Sequence, residues 1–143
     1  MNSYFPDVNV WLALAFQGHI HHFAAAEWLS QVDDPVRFCR FTQMGFLRLS
    51  TLPAAMRDEA KNQKDAWRAY DSLMEDDRIS FESEPRPAAL GYPFRELTLR
   101  HNSRTGSWTD AYLAAFAEVA DLTLVTFDRG LKRMAGDRAL LLP

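Results

Sequence analysis

Three aspartates stand at junctions between predicted strands and helices, where their carboxylates could bind a divalent cation. Asp7 follows a short apolar strand, Asp110 lies at the start of an apolar helix, and Asp128 ends another strand. Three carboxylates with open coordination positions suit Mg²⁺ or Mn²⁺, which keep water molecules that exchange with substrate. The chemistry that needs such a site is phosphodiester hydrolysis, because the metal generates a hydroxide nucleophile and stabilises charge on the leaving oxygen.

The segment 107–131 predicts how two of these aspartates meet. Residues 108–120 are apolar on nearly every side of a helix, so we expect that helix to be buried. Residues 122–127 form a β-branched, apolar strand that ends at Asp128 in a turn signal. About 12 helical residues extend roughly 18 Å, and about 5 strand residues return roughly 17 Å. Because the two lengths nearly match, Asp110 and Asp128 should lie side by side.

Each aspartate also has a purely structural interpretation. Aspartate is favoured at helix N-caps, so Asp7 and Asp128 could each cap the helix that follows. Residues 107–110 fit the outline of a capping box. Asn9 could cap a helix or support a metal site as a neutral oxygen ligand. A shared site is favoured because Asp7, Asp110 and Asp128 all fall at the edge where α/β proteins bind ligands, outside the carboxyl ends of the strands.

The order of the predicted elements indicates an α/β fold. Five segments have strand patterns: 4–7, 36–40, 78–82, 122–127 and 139–142. Helical patterns separate them, which predicts a mostly parallel central sheet of about five strands with helices on both faces. Pro53 is expected to end a helix, and residues 54–64 to form an exposed polar connection. A length of 143 residues predicts one domain that spans 1–143.

Charge and composition narrow the class of protein. The net charge of −3 is not that of a general nucleic-acid binder, although an enzyme whose contacts are local and run through a metal is allowed. No apolar run approaches the roughly 18–20 residues that span a bilayer, and the first residues lack a signal core. We therefore expect a cytoplasmic protein without a membrane partner. The single cysteine, Cys39, excludes an internal disulfide and is expected to be a buried strand residue.

Basic and histidine-rich loops are the candidates for substrate contact. Residues 100–106 form a polar, basic loop that leads to Asp110, so Arg100 and Arg104 could bind a phosphate backbone, although a mobile surface loop would look the same. His22 belongs to a histidine cluster at a helix start, which is either solvated or a rim that meets a substrate phosphate. Arg48, on the helix of residues 43–50, is a further candidate.

Four segments, in their order along the chain, resemble the PIN domain family and, more narrowly, the VapC-type toxins of bacterial toxin–antitoxin pairs. They are Phe5-Pro6-Asp7-Val8-Asn9-Val10, Phe41-Thr42-Gln43-Met44-Gly45-Phe46-Leu47-Arg48-Leu49, Trp108-Thr109-Asp110-Ala111-Tyr112-Leu113-Ala114 and Leu124-Val125-Thr126-Phe127-Asp128. The Thr-Asp-Ala-Tyr-Leu-Ala and Val-Thr-Phe-Asp segments are specific, whereas Asp-x-Asn alone is not. The resemblance covers the whole chain and implies a PIN-like three-layer fold.

The resemblance also implies an activity, a cofactor and partners. It implies an Mg²⁺- or Mn²⁺-dependent endoribonuclease that acts on RNA, often tRNA, as the toxin of a type II toxin–antitoxin system. It implies a homodimer that a VapB-like antitoxin inhibits. The metal-binding and catalytic aspartates of the family fall on Asp7, Asp110 and Asp128, with Asn9 and Thr109 among the supporting residues.

The sequence departs from the family pattern at one position. Most PIN domains carry a fourth acid on the helix after the second strand, and residues 42–46 contain none. Thr42 or Gln43 could supply a neutral oxygen there, or Glu82 or Glu84 could approach from elsewhere. The loss leaves open whether one or two ions bind.

Two other functions remain open at this stage. A degenerate PIN-like module that binds RNA or protein without cleaving is favoured by the missing fourth acid. A phosphatase with an aspartate nucleophile is disfavoured, since no lysine falls close to the three acids. For partners, we predict that large apolar groups on the first two helices (Trp11, Leu14, Phe16, Trp28) receive an antitoxin and that Phe46 and Leu49 contribute to a dimer face.

Overall fold

A parallel sheet of five short strands forms the centre of the protein. The computed structural model describes residues 2–101 and 107–143. Within them the strands are β1 (Tyr4–Pro6), β2 (Val36–Phe38), β3 (Ile79–Phe81), β4 (Thr123–Thr126) and β5 (Ala139–Leu141). Their order in the sheet is β3-β2-β1-β4-β5, and every neighbouring pair is parallel. All five predicted strands are present, and the expected parallel sheet is confirmed.

Helices cover both faces of this sheet, as the three-layer prediction requires. They are α1 (Val8–Ala15), α2 (His22–Ser30), α3 (Arg40–Ser50), α4 (Pro53–Met56), α5 (Gln63–Met74), α6 (Pro87–Arg100), α7 (Ser107–Ala120) and α8 (Arg129–Ala135). One core joins the sheet to α1, α3 and α5, and the other joins it to α6, α7 and α8. None of the helices among the described residues has both the length and the apolarity to cross a membrane.

Stacked aromatic rings hold the two helical layers to the central strands. On one face Phe5 of β1 stacks on Phe116 of α7, with ring centroids 4.8 Å apart. On the other face Trp11 of α1 stacks on Phe38 of β2 at 3.7 Å. All four side chains are completely buried, and each such burial contributes roughly 1.5–3 kcal/mol. These contacts anchor the helices that carry the candidate site.

The central part of the apolar helix predicted before β4 is buried. Residues 113–117 and Ala111 of α7 are inaccessible or nearly so, which confirms the expected burial. Trp108 is an exception, since two thirds of its surface is exposed. This tryptophan lies in the first turn of α7, before the buried residues begin at Ala111.

Local capping moves several boundaries from the predicted ones. α3 begins at Arg40 rather than at residue 43, because Cys39 and Thr42 form a capping box that ends β2 early. Residues 54–64 do not form a plain connection. Pro53 begins the one-turn helix α4, a position where proline is favoured, and a 3₁₀ turn follows at Arg57–Glu59.

The predicted partner surface on the first helices is partly wrong. Trp11 and Phe16 are buried in the core, so they offer no surface to an antitoxin, while Leu14 and Trp28 remain partly exposed. Phe46 is also completely buried, which removes it from the expected dimer face. The most exposed large apolar side chains are other residues: Ile20 and Phe23, just before and at the start of α2, and Tyr92 of α6.

Candidate metal and active site

Strand register brings Asp7 and Asp128 to the same edge of the sheet. β1 and β4 are parallel neighbours, with Pro6 opposite Val125, and the N–H of Asp7 donates to the Val125 carbonyl at 2.9 Å. Each strand therefore ends at the same level, and an aspartate follows each end. Asp110 reaches this edge from the first turn of α7. The predicted convergence of the three elements is present.

A cavity of about 730 Å³ opens between these elements. The three aspartates line it together with polar groups from Asn9, Thr109 and Arg48. Its remaining wall is mostly apolar: Val8, Phe41, Met44, Gly45, Leu49, Leu113 and Leu131. The cavity thus combines a few polar groups with a mostly apolar lining, an arrangement typical of binding sites.

Asp7 is the most buried of the three carboxylates. It is only 5% exposed, and its Oδ1 accepts a hydrogen bond from the Val10 N–H at 3.1 Å. Its Oδ2 accepts from the hydroxyl of Thr126. Burial raises the pKa of Asp7 to about 6; the two hydrogen bonds oppose that rise, and the negative charges of Asp128 and Asp110 add to it. A cation beside Asp7 would offset both the burial and the repulsion.

Asp128 caps α8 and also lines the cavity. Its Oδ1 accepts from the N–H of Gly130 at 2.7 Å and from that of Leu131 at 3.4 Å. Its own N–H donates to the Thr126 hydroxyl oxygen at 2.9 Å. Capping and site membership are therefore not alternatives for Asp7 or Asp128, because each does both.

Thr126 joins two of the acids, and the sequence analysis did not single it out. Its hydroxyl donates to Asp7 and accepts from the backbone of Asp128, while its side chain is completely buried. The available signal was a threonine two residues before the aspartate at the end of an otherwise apolar strand. A buried hydroxyl there needs polar partners, and here a carboxylate and a backbone N–H supply them.

The three carboxylates share a cavity without forming a closed cage. Within residues 2–101 and 107–143, no group of three His, Cys, Asp or Glu side chains is arranged to hold a metal ion as it stands. The donor set nevertheless fits a hard divalent cation, since it is all oxygen and includes a buried carboxylate whose charge is not neutralised. The three carboxylates share one cavity, and the charges of Asp110 and Asp128 act on Asp7 within it.

Close packing of α3 against α1 explains why position 45 does not carry an acid. Gly45 of α3 lines the cavity against α1, and a Cβ built on it would lie 2.6 Å from Cγ2 of Val8. Real Cβ atoms do not approach neighbours so closely, so a larger side chain at this position would push the two helices apart. A glutamate at position 45 is therefore excluded by the present packing.

The proposed substitutes for that acid are engaged in other contacts. The Thr42 hydroxyl bonds to the backbone of Cys39, and Gln43 accepts from Arg40 at 2.5 Å. Glu84 accepts from the Tyr112 hydroxyl at 2.7 Å, and Glu82 pairs with Arg37 at 3.7 Å. Of the described residues that line the acid cavity, none is one of these four candidates.

The candidates for substrate contact are scattered. Arg48 lines the acid cavity. Arg100 pairs with Glu96 and lines a different cleft, between α6, α7 and α8. Nδ1 of His22 lies 2.7 Å from the Ala13 carbonyl oxygen, which ties this ring to the end of α1. Arg104 lies outside the described residues.

Fold and cavity define a class: an α/β protein with a three-aspartate, cation-compatible cavity at the carboxyl edge of a parallel sheet. A model of the PIN domain matches residues 4–137. Ribonuclease VapC41 of Mycobacterium tuberculosis is 38% identical over 141 residues, which cover 95% of this chain and 96% of that protein. Ribonuclease VapC29 of the same organism is 32% identical over 146 residues, with coverage of 96% and 94%.

Solved structures show the same fold at low sequence identity. Mycobacterium tuberculosis VapC20, described as a Sarcin-Ricin loop cleaving toxin, superimposes with a TM-score of 0.71 at 17% identity and covers 99% of this chain and 100% of its own. VapBC2 from Rickettsia felis, bound to a DNA fragment from its promoter, gives 0.69 at 13% identity and covers 98% of each chain. The chain belongs to the PIN domain family and, within it, to the VapC ribonucleases.

Proposed function

We propose that this chain is a single-domain, divalent-metal-dependent endoribonuclease, the toxin of a type II toxin–antitoxin pair that acts in the cytoplasm. The observation that carries the proposal is the cavity in which Asp7, Asp110 and Asp128 meet. Membership of the VapC ribonucleases supports RNA as the substrate, with tRNA as one candidate.

The three aspartates would hold Mg²⁺ or Mn²⁺, and the bound ion supplies a hydroxide nucleophile and charge stabilisation at the leaving oxygen. Asp7 is fixed in position by Val10 and Thr126, and Asp128 by the start of α8. Asn9 adds a neutral oxygen to the same wall. Arg48 lines the same cavity, where it would bind a phosphate of the RNA. The apolar lining lowers the local polarity around the buried carboxylate of Asp7, which strengthens its electrostatic contacts.

One tightly held ion fits this site better than two. A second ion would need further acid ligands, and the residues of α3 that line the cavity, Met44, Gly45, Arg48 and Leu49, include none. Thr42, Gln43, Glu82 and Glu84 are engaged elsewhere, as described above. We therefore propose a one-metal site whose remaining positions are filled by water and substrate.

A cleavage assay tests the proposal. Wild type and Asp110→Asn are incubated with tRNA and with ribosomal RNA in EDTA, in Mg²⁺ and in Mn²⁺. We expect defined fragments only from the wild type with a divalent ion. Binding of RNA without cleavage in every condition would support the alternative, a non-cleaving PIN-like module, which the lack of a fourth acid and the open arrangement of the carboxylates favour.

The proposed partners are a VapB-like antitoxin and a second copy of this chain. Co-expression with the small reading frame beside its gene should yield a stable complex that no longer cleaves RNA. Light scattering on the isolated chain should give the mass of a dimer. A monomer that the neighbouring product neither binds nor inhibits would remove the toxin–antitoxin part and leave the nuclease part standing.

A further inference from the structure

A second cleft continues the carboxyl edge of the sheet beyond Asp128. It has a volume of about 420 Å³. The residues that line it are His21, Phe127, Arg129, Leu141, Leu142 and Pro143. Phe127 and Arg129 are the two chain neighbours of Asp128, so their Cα atoms each lie about 3.8 Å from that of Asp128. The cleft and the acid cavity are therefore lined by consecutive residues of the chain after β4.

An aromatic pair forms one wall of this cleft. The ring of His21 stacks on that of Phe127, with centroids 4.3 Å apart and planes inclined by only 17°. Phe127 in turn packs against the small core cluster around Val125 and Leu142. The pair is thus a ring anchored in the core with a second ring lying parallel on it.

Backbone contacts made by the neighbouring histidines fix the position of His21. Nδ1 of His19 accepts from the His21 N–H at 3.0 Å, and Nδ1 of His22 lies 2.7 Å from the Ala13 carbonyl oxygen. Two of the three rings in this cluster are therefore used to hold the loop between α1 and α2. The third ring, His21, is the one that reaches the cleft.

Each of the two cavities contains an arginine. Arg48 lines the acid cavity, and Arg129, whose side chain is exposed, lines the neighbouring cleft. The chain as a whole carries a net charge of −3, so a polyanion would be attracted only where such cations lie. A strand of RNA that occupies both cavities would have an arginine available in each.

We propose that the cleft of His21, Phe127 and Arg129 binds one unpaired nucleotide of the RNA near the cleavage site. Its base stacks on the aromatic pair and Arg129 binds its phosphate. This inference rests on the proposed ribonuclease function. Unpaired bases stack on aromatic and histidine rings, and a neighbouring cation binds the backbone, in proteins that bind single strands. An apolar peptide segment would use the rings but leave the arginine without an anionic partner.

The test compares two probes that differ only in their bases. One is a fluorescein-labelled octamer of uridine, and the other is an octamer of abasic ribose phosphate. Binding is measured by fluorescence anisotropy in EDTA, where cleavage does not occur. We expect His21→Ala to weaken binding of the uridine octamer about 5- to 30-fold, in line with base stacking on one ring, and to leave the abasic octamer unchanged.

Matched variants separate stacking from charge. His21→Phe keeps an aromatic ring and should retain wild-type affinity for the uridine octamer. Arg129→Ala should weaken both probes about equally, because both carry phosphates. Arg138→Ala removes the same charge at the opposite edge of the sheet, where Arg138 precedes β5 and pairs with Asp121 before β4, and should change neither. Phe127 is left intact because it packs against the core.

Equal loss for both probes, or no loss for either, in His21→Ala would overturn the proposal. So would normal RNA affinity combined with loss of inhibition by the antitoxin, which would assign this face to that partner. Should His21→Ala lower the melting temperature, His21→Leu repeats the comparison with an apolar side chain that cannot stack. Failure of the wild type to cleave RNA with Mg²⁺ concerns the proposed function alone, since these binding measurements do not depend on cleavage.

Discussion

The helices that follow β1 and β2 both have capped N-termini, but the capping residues differ. After β1, Asp7 caps α1 by accepting from the Val10 N–H. After β2, Cys39 caps α3 in a capping box with Thr42, and both side chains are almost completely buried. A buried helix start in this protein is therefore capped without a carboxylate where no cavity adjoins it.

The helix that follows β4 is again capped by an aspartate. Asp128 caps α8 and lines the same cavity as Asp7. At Asp7 the carboxylate has a cost, because burial and two neighbouring acids raise its pKa to about 6. The comparison teaches that capping alone does not explain aspartate at these two strand ends. A carboxylate is retained where it adjoins the cavity and is absent where it would only cap.

Replacement of Asp7 should have the largest effect. We expect Asp7→Asn to lower metal-dependent RNA cleavage at least about 100-fold, as expected for loss of one carboxylate ligand, while asparagine still caps α1. At pH 7 and without metal, the free energy of unfolding should also be higher for the variant than for wild type. The variant lacks the Asp7 carboxylate, whose pKa is raised by about two units, which corresponds to roughly 3 kcal/mol. Loss of the charged hydrogen bond from Thr126 will offset part of this gain.

The raised pKa of Asp7 also predicts how the stability of the metal-free protein changes with pH. The pKa of Asp7 is higher in the folded protein than the ordinary value of 3.8, so folding favours the protonated form. This group therefore destabilises the metal-free protein progressively as pH rises from about 4 to about 6, and fully above that. Chemical denaturation in EDTA at pH 4.5 and pH 7 should show the difference in wild type and a smaller one in Asp7→Asn. Equal slopes with pH would contradict the site assigned to Asp7.

Thr126→Val tests the role of the hydroxyl that bonds to both Asp7 and Asp128. Its hydrogen bond lowers the pKa of Asp7, so its removal should raise that pKa further and destabilise the metal-free protein by about 1–3 kcal/mol at pH 7. The acid limb of the cleavage-rate profile should move to higher pH. Thr126→Ser keeps the hydroxyl and should keep the wild-type profile; a shift in both variants would point to packing instead.

Gly45→Ala tests the close contact that excludes a fourth acid. The added methyl group meets Cγ2 of Val8, and we expect a net loss of about 1–2 kcal/mol despite the better helix propensity of alanine. Val8→Ala in the same chain should remove the clash, so the double variant should be more stable than the two single effects predict. The measurement is the free energy of unfolding in urea. Strict additivity would show that α1 and α3 do not meet as described.

Thr42→Ala should have the smallest effect and contrasts directly with Asp7→Asn. Loss of the capping-box hydroxyl should cost about 1 kcal/mol of stability. Cleavage per folded molecule should stay within about twofold of wild type at a temperature well below unfolding, because Thr42 caps α3 and does not line the cavity. A large loss of cleavage with normal stability would return Thr42 to the site.

Much of the fold followed from local patterns. The five strands and the buried part of α7 were predicted because alternation, β-branching and helical periodicity are properties of short segments. Boundaries were less accurate where a side chain competes for a backbone group. The capping box of Cys39 and Thr42 shortened β2. α3 ends before Pro53 as predicted, but Pro53 then begins α4 within the segment expected to be a plain connection.

The sequence by itself placed Asp7, Asp110 and Asp128 at the ends of strands and at a helix start, because those positions depend on neighbouring residues. Only the tertiary structure showed that Thr126 bonds to Asp7 across 119 residues of chain, since that contact depends on the register of β1 against β4. The packing of Gly45 on Val8 and the stacking of His21 on Phe127 are likewise contacts between separate segments. Their distances depend on how the helices and loops pack on the sheet, and local sequence patterns do not determine that packing.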